Sequence, residues 1–146
     1  MFAGADLLHL KTKAQFQAVM AGPPVAKTQH FALHLVSLDA RRGEVLLFPL
    51  QLPWVGVLIP KRWAKRAVTR NTIRRQIYEL ARSRTAGLPC AAMVVRLRSE
   101  FSRKQFVSAT SEPLKLAVRA ELQALFDRLA RLPLPARAEP GVIHAV

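Results

Sequence analysis

The side chains with the clearest chemical potential are cations. Between Lys61 and Arg84 the chain carries nine basic residues (Lys61, Arg62, Lys65, Arg66, Arg70, Arg74, Arg75, Arg82 and Arg84) and one acid, Glu79. An even spread of the 23 Lys and Arg over 146 residues would put only about four in that stretch. Projected at ~100° per residue, Arg70, Asn71, Arg74, Arg75, Tyr78 and Arg82 share one arc of a helix, with Ile73, Ile77 and Leu80 opposite. Like charges one turn apart, as at Arg70 and Arg74, repel by a few tenths of a kcal/mol. That cost is relieved when phosphates sit between guanidiniums, each of which can grip an oxygen pair bidentately. A solvated helix face normally mixes signs, and this one has almost no carboxylate. The chemistry it supports is polyanion binding, nucleic acid above all.

Groups for bond-breaking are missing. The nine Asp and Glu are scattered, with no close pair for a general acid and base or a two-metal site. His9, His30, His34 and His144 lack metal-ligand spacing, and neither a Walker loop nor G-x-G-x-x-G occurs. Cys90 is the only cysteine, which excludes an internal disulfide framework or a thiolate zinc site and fits a reducing compartment. The apolar run Trp54 to Ile59 is far short of the ~20 residues of a membrane span. The N-terminus lacks the basic-then-apolar pattern of a secretory signal. The expectation is a cytoplasmic protein with no membrane partner, whose +14 net charge is one-signed where small soluble domains usually carry a magnitude of ~2–8.

The elements that must position these cations can be read from periodicity. Thr12 and Gln15 match a capping box, which predicts a helix over Lys13 to Met20 with Phe16, Val19 and Met20 on one face, ended by Gly22-Pro23-Pro24. His30 to Leu38 reads as a strand apolar on both faces, Asp39 to Gly43 as a turn, and Glu44 to Phe48 as a further short strand. Trp54 to Ile59 is a β-branched strand that stops at Pro60. The basic segment is helical from about Ala64 to Arg84, on the stripe Ile73, Ile77, Leu80 and Ala81, and Ala91 to Leu97 is an inner strand. Ser111 as cap, Glu112 and Pro113 open a last helix whose stripe is Leu114, Val118, Leu122, Leu125, Leu129 and Leu132. Trp54 and Trp63 are read as packing residues. The fold class is α+β, an α/β sandwich of one small mixed sheet with three helices in the order α-β-β-β-α-β-α. Residues 1–9 are read as an N-terminal tail, 10–132 as a single domain and the proline-rich 133–146 as a disordered C-terminal tail.

The pair Lys61-Arg62 and the run Ala67-Val68-Thr69-Arg70-Asn71-Thr72-Ile73-Arg74-Arg75, continuing to Glu79, resemble the signature of the protein subunit of bacterial ribonuclease P. That family's basic helix reads roughly A-V-x-R-N-R-I-K-R-x-I-R-E after a strand ending in a basic pair. Here the strand is WVGVLIP, and Leu10 to Val19 is similar to the family's opening helix. With the matching element order, the resemblance covers about residues 10 to 130. It implies a left-handed β-α-β crossover, contrary to the ~98% rule for such units. It also implies a catalytic RNA subunit that binds Mg2+ and removes the 5′ leader of precursor tRNA. The protein would need no cofactor of its own and no protein partner. Lys61, Arg62, Arg70, Asn71, Arg74 and Arg75 match positions the family uses against RNA, with Lys65 and Arg66 in the same run. Phe16 matches a cleft aromatic able to stack on a leader base, a contact worth ~1–3 kcal/mol. His34 and Met20 stand where the family often has aromatics, and His34 is a second candidate for the leader cleft. Thr72 and Tyr78 replace basic residues of the pattern, which should weaken phosphate grip locally, although Tyr78 could stack on a base. Segment 41–52 is longer than the family's loop and has no assigned role.

Two other readings use the same cations: a non-catalytic, ribosome-associated structural RNA binder, and a helix-in-groove DNA binder. The second would need sequence readout, whereas arginines spent on phosphates discriminate weakly.

Overall fold

The computed structural model describes residues 7–101 and 112–133. In chain order the elements are β1 (Leu8–His9), α1 (Lys13–Met20), β2 (Ala26–Lys27), β3 (Phe31–Ser37), β4 (Arg41–Arg42), β5 (Val45–Leu46), β6 (Trp54–Leu58), α2 (Ala67–Ser83), β7 (Ala91–Leu97) and α3 (Glu112–Ala130). Five strands form one mixed sheet in the order β1-β6-β7-β3-β2. β1, β6 and β7 run parallel, and β3 and β2 complete the sheet antiparallel. The parallel neighbours β6 and β7 are joined through α2, the β-α-β unit that carries the basic helix.

Alternation along the inner strands divides the core between two layers. Phe31, Leu33, Val55, Val57, Met93, Val95 and Leu97 point to the layer of α2 and α3, meeting Ile73, Ile77 and Leu80 of α2 and Val118, Leu122 and Leu125 of α3. On the other face Trp54, Ala92 and Val94 meet Val19 of α1 and Leu10, Leu38 and Phe48, with Phe16, Met20 and Val36 at the margin. The stripes read from the sequence for both long helices are buried as expected, apart from half-buried Leu132, which still packs on the core. α1 has the expected bounds, and its capping box is formed: Thr12 Oγ1 accepts from Gln15 N at 3.1 Å, and Gln15 Oε1 accepts from Thr12 N at 3.1 Å. Trp54 is buried, its Nε1 donating to Leu50 O at 3.0 Å, as a packing role requires.

Four local features differ from the sequence expectation. Leu8–His9 belong to the sheet, not to a tail: Leu8 N donates to Pro53 O at 2.9 Å and Leu10 N to Val55 O at 3.0 Å. Ala26–Lys27 form the opposite edge. The expected Asp39 to Gly43 turn and following strand are a separate hairpin, β4 with β5, turning at Gly43-Glu44. Gly43 has φ +63°, as the first position of a two-residue II′ turn demands. α2 starts at Ala67 rather than Ala64, because Pro60 to Trp63 form a turn in which Trp63 N donates to Pro60 O at 3.0 Å. Ser111 and the tail beyond Pro133 lie outside the described residues.

Candidate nucleic-acid interface

α2 turns its apolar stripe into the core and its cations outward. Asn71, Arg75 and Arg82 are exposed, and Arg70, Arg74 and Tyr78 half-exposed. No acid occupies the first turn, and Arg66 at the N-cap makes no side-chain capping bond, so the positive pole of the helix adds to Lys65 and Arg66 instead of being neutralised. The one acid of the run is drawn away. Glu79 Oε2 accepts from Arg119 Nη2 of α3 at 3.1 Å, while Arg119 Nε donates to Gln76 Oε1 at 2.9 Å. Arg84 pairs with Asp127 of α3 at 2.7 Å. Among the described residues no carboxylate pairs with Lys61, Arg62, Lys65, Arg66, Arg74, Arg75 or Arg82.

These cations have distinct settings. Arg70 Nη1 donates to Ala64 O at 2.9 Å and Lys65 O at 2.8 Å, pinning the loop that bears Lys61 to Arg66 against the helix. Arg74 Nη1 donates to Asn71 Oδ1 at 3.1 Å, which fans the two side chains together. The Arg62 guanidinium lies over the Trp63 ring, 5.2 Å from its centroid. Thr72 is buried and its Oγ1 donates to Val68 O at 2.9 Å, so this departure from the family pattern turns inward. Tyr78 is stacked on His9 of β1, with centroids 4.0 Å apart and planes 21° from parallel, so one ring face is already covered. Burial pushes the Tyr78 hydroxyl above its ordinary range, against the opposing pull of Arg74. Burial, then Arg82 and Lys11, hold His9 below the usual histidine range.

The second part of the site lies on the other sheet face, under α1. Gly56 of β6, Val94 of β7 and His34 of β3 form one row across the sheet, with Leu58, Arg96 and Ala32 in the next. The half-buried Phe16 ring rests on Gly56: a Cβ there would come within 2.8 Å of Phe16 Cε1. Glycine is needed for that approach. His34 is 4% exposed. Its Nδ1–H donates to Gly22 O at 3.1 Å, which leaves Nε2 to accept from Arg96 Nε at 3.4 Å. Burial lowers the His34 pKa, the Gly22 bond opposes this, and Arg96 lowers it further, which favours the neutral ring. His34 therefore offers no open ring face and contacts Arg96 instead.

The structure brings Phe16 and His34 together on the α1 face, and Lys61 to Arg75 together on α2 and its leading loop. β6 connects the two regions, because Lys61 follows Leu58 by three residues, at most ~11 Å of chain. Arg96, which contacts His34, is not singled out by the sequence. The signal was available, since period-2 alternation puts it on one face with Ala92 and Val94, but it sits inside an apolar run that reads as pure core. Among the described residues no group of three or more His, Cys, Asp or Glu could hold a metal ion, and no helix is long and apolar enough to cross a membrane.

A basic helix in a β-α-β unit, packed on a five-stranded sheet whose other face carries the first helix, invites comparison with known proteins. The family model described as Ribonuclease P matches residues 6–125. The chain belongs to the ribonuclease P protein family. The ribonuclease P protein component of Paraburkholderia xenovorans is 33% identical over 134 residues, which span 90% of this chain and 86% of that one. That of Burkholderia mallei is 34% identical over 124 residues, or 84% and 81% of the two chains. Among solved structures, the RNase P protein of Staphylococcus aureus superposes with a TM-score of 0.59 at 19% identity, over 84% of this chain and 94% of that one. The RNase P protein of Thermotoga maritima gives 0.58 at 18% identity, over 82% and 96%. These two carry the α+β fold, and the sequence relatives carry the family. This ribonuclease P protein is a component of an endoribonuclease that matures the 5′ ends of tRNA, and its partner is RNA.

Proposed function

We propose that this ribonuclease P protein docks on the catalytic RNA subunit through Lys61, Arg62, Lys65, Arg66, Arg70, Asn71, Arg74 and Arg75, and holds the 5′ leader of precursor tRNA in the cleft of Phe16 and His34. Cleavage belongs to that RNA and to Mg2+ ions that it binds. The observation that carries the reading is the outward face of α2 with its leading loop, where, among the described residues, eight cations (Lys61, Arg62, Lys65, Arg66, Arg70, Arg74, Arg75 and Arg82) have no carboxylate partner while Glu79 is held by α3. Such a surface neutralises phosphates and releases their counterions on binding. By taking over part of that neutralisation, the protein lowers the Mg2+ that the RNA needs. Its place of action is the cytoplasm, where precursor tRNA is processed.

Reconstitution tests this. The isolated protein is expected to leave precursor tRNA intact, and to restore cleavage by the cognate RNA at low Mg2+ and physiological salt. Cleavage by the polypeptide alone, or no help to the cognate RNA, would overturn the proposal. Recovery of ribosomal RNA instead of a distinct catalytic RNA with the protein from cells would favour a structural, ribosome-associated role.

A further inference from the structure

Arg96 stands on the middle strand of the sheet, an uncommon place for a cation. Its strand neighbours on the same face, Ala92 and Val94, are fully buried, whereas Arg96 is half-exposed next to Leu58, which is 38% exposed. The sheet face under α1 therefore opens to solvent at this row. Nε is committed to His34, whose ring is itself fixed by Gly22 O in the tautomer that leaves Nε2 able to accept. Nη1 and Nη2 have no partner among the described residues, and no carboxylate pairs with the guanidinium. A cation kept in a half-buried groove without a counter-ion, its plane set by a neutral ring, is arranged to present two parallel N–H donors outward. That fork matches the two non-bridging oxygens of a phosphate.

We infer that Arg96, positioned by His34, grips one backbone phosphate of the single-stranded 5′ leader as it crosses the cleft floor beside Phe16. This rests on the proposal that the cleft holds the leader. It assigns to Arg96 a grip on the chain that complements base stacking on Phe16. His34 acts as a positioning residue, aligning the fork without touching the leader.

The test uses the reconstituted holoenzyme with precursor tRNA and with mature tRNA lacking a leader. Arg96→Gln is expected to weaken precursor binding about 3- to 10-fold and to reduce the salt slope by about 0.7, the single-strand value for one phosphate. Mature tRNA affinity and catalytic-RNA affinity should not move, and any fall in Tm from His34 Nε2 losing its Arg96 donor is read separately by melting. His34→Phe keeps the charge but removes the acceptor, so precursor affinity should fall with the salt slope intact, and His34→Gln should rescue it. An equal loss with mature tRNA, or full retention of precursor affinity in Arg96→Gln, overturns the Arg96 assignment while leaving the cleft reading in place. If the wild-type holoenzyme binds precursor and mature tRNA equally, the cleft reading fails and takes the assignment with it. Should His34→Phe fold poorly, Arg96→Gln alone decides.

Discussion

Replacing Gly56 by Ala is the sharpest probe of how Phe16 is seated on the sheet. The added Cβ would lie 2.8 Å from Phe16 Cε1, 3.0 Å from Cζ and 3.1 Å from Leu10 Cβ. Carbon atoms rest at about 3.5–4.0 Å, so the ring must retreat by roughly 0.5–1 Å or tilt out of its place on the strand. Overpacking of this kind costs about 1–3 kcal/mol. Against it stands the ~0.5–1 kcal/mol that Ala gains over Gly in a strand interior. The balance is a destabilisation of about 1–2 kcal/mol, which for a domain of this size lowers Tm by roughly 3–10 °C. Thermal unfolding of the wild type, Gly56→Ala, Phe16→Leu and the double variant measures it. Because the main clash is with the Phe16 ring, the penalty should shrink by about 1 kcal/mol in the Phe16→Leu background, leaving the smaller squeeze on Leu10. Precursor tRNA affinity of the Gly56→Ala holoenzyme should drop with the displaced ring. Additivity of the two changes within ~0.3–0.5 kcal/mol would refute the reasoning, since it would mean that Gly56 does not serve Phe16.

Arg74→Ala and Arg75→Ala should each flatten the salt dependence of RNA binding by about 0.7 with Tm nearly unchanged, whereas Arg70→Ala should also cost about 1 kcal/mol of stability by releasing Ala64 O and Lys65 O. Salt titrations paired with melting curves separate the two behaviours. His9 and His34 both have folded pKa values held below the ordinary histidine value of 6.5, so the unfolded chain binds more protons and stability rises with pH. Their contribution is complete above 6.5 and is lost as pH falls through the depressed folded values; urea unfolding from pH 8 to 5 should show a shallower decline in His34→Gln. Glu121→Ala should destabilise by about 2 kcal/mol, because the carboxylate accepts from Thr28 Oγ1 and His30 N, both at 2.6 Å, and its loss orphans both donors. A Tm within 1 °C of the wild type would contradict that accounting.

The helices were legible because each carries its signal within itself. The α1 bounds follow from one capping box and one Pro-Pro stop, and the stripes of α2 and α3 needed only a 3.6-residue period. The two-residue strands β1 and β2 carry no period, since what defines them is a neighbour supplied by distant chain: Trp54 and Val55 for β1, Ala32 and Leu33 for β2. The start of α2 was misplaced for a related reason. Ala64 to Arg66 suit a helix by propensity, yet the turn closed on Pro60 and the back-bonded Arg70 hold them outside it. The same division governs the site. A ridge on one helix can be projected from a sequence, and the α2 face was. The proposed cleft would draw Phe16, His34 and Arg96 from three elements, and the His34–Arg96 contact arises only when β3 and β7 pair in register.

The cationic surface owes as much to where the acids go as to where the bases are. Among the described residues, every carboxylate in an ion pair is on α3 or engaged by it: Glu112 with Lys115, Glu121 with His30, Asp127 with Arg84, and Glu79 with Arg119. α3 thus packs against α2, pairs Arg84 at its C-terminal end and takes up Glu79, the one carboxylate that could have neutralised the basic face. The outer flank keeps its repulsion, to be discharged on binding. Six phosphates neutralised there would give a salt slope of about −4, so a fourfold rise in salt would weaken binding by more than a hundredfold. Spreading the same nine acids evenly would gain stability in the free protein and lose most of that slope. The asymmetry also turns one face of the molecule toward an approaching polyanion, and the face it turns is the one that carries Arg74 and Arg75.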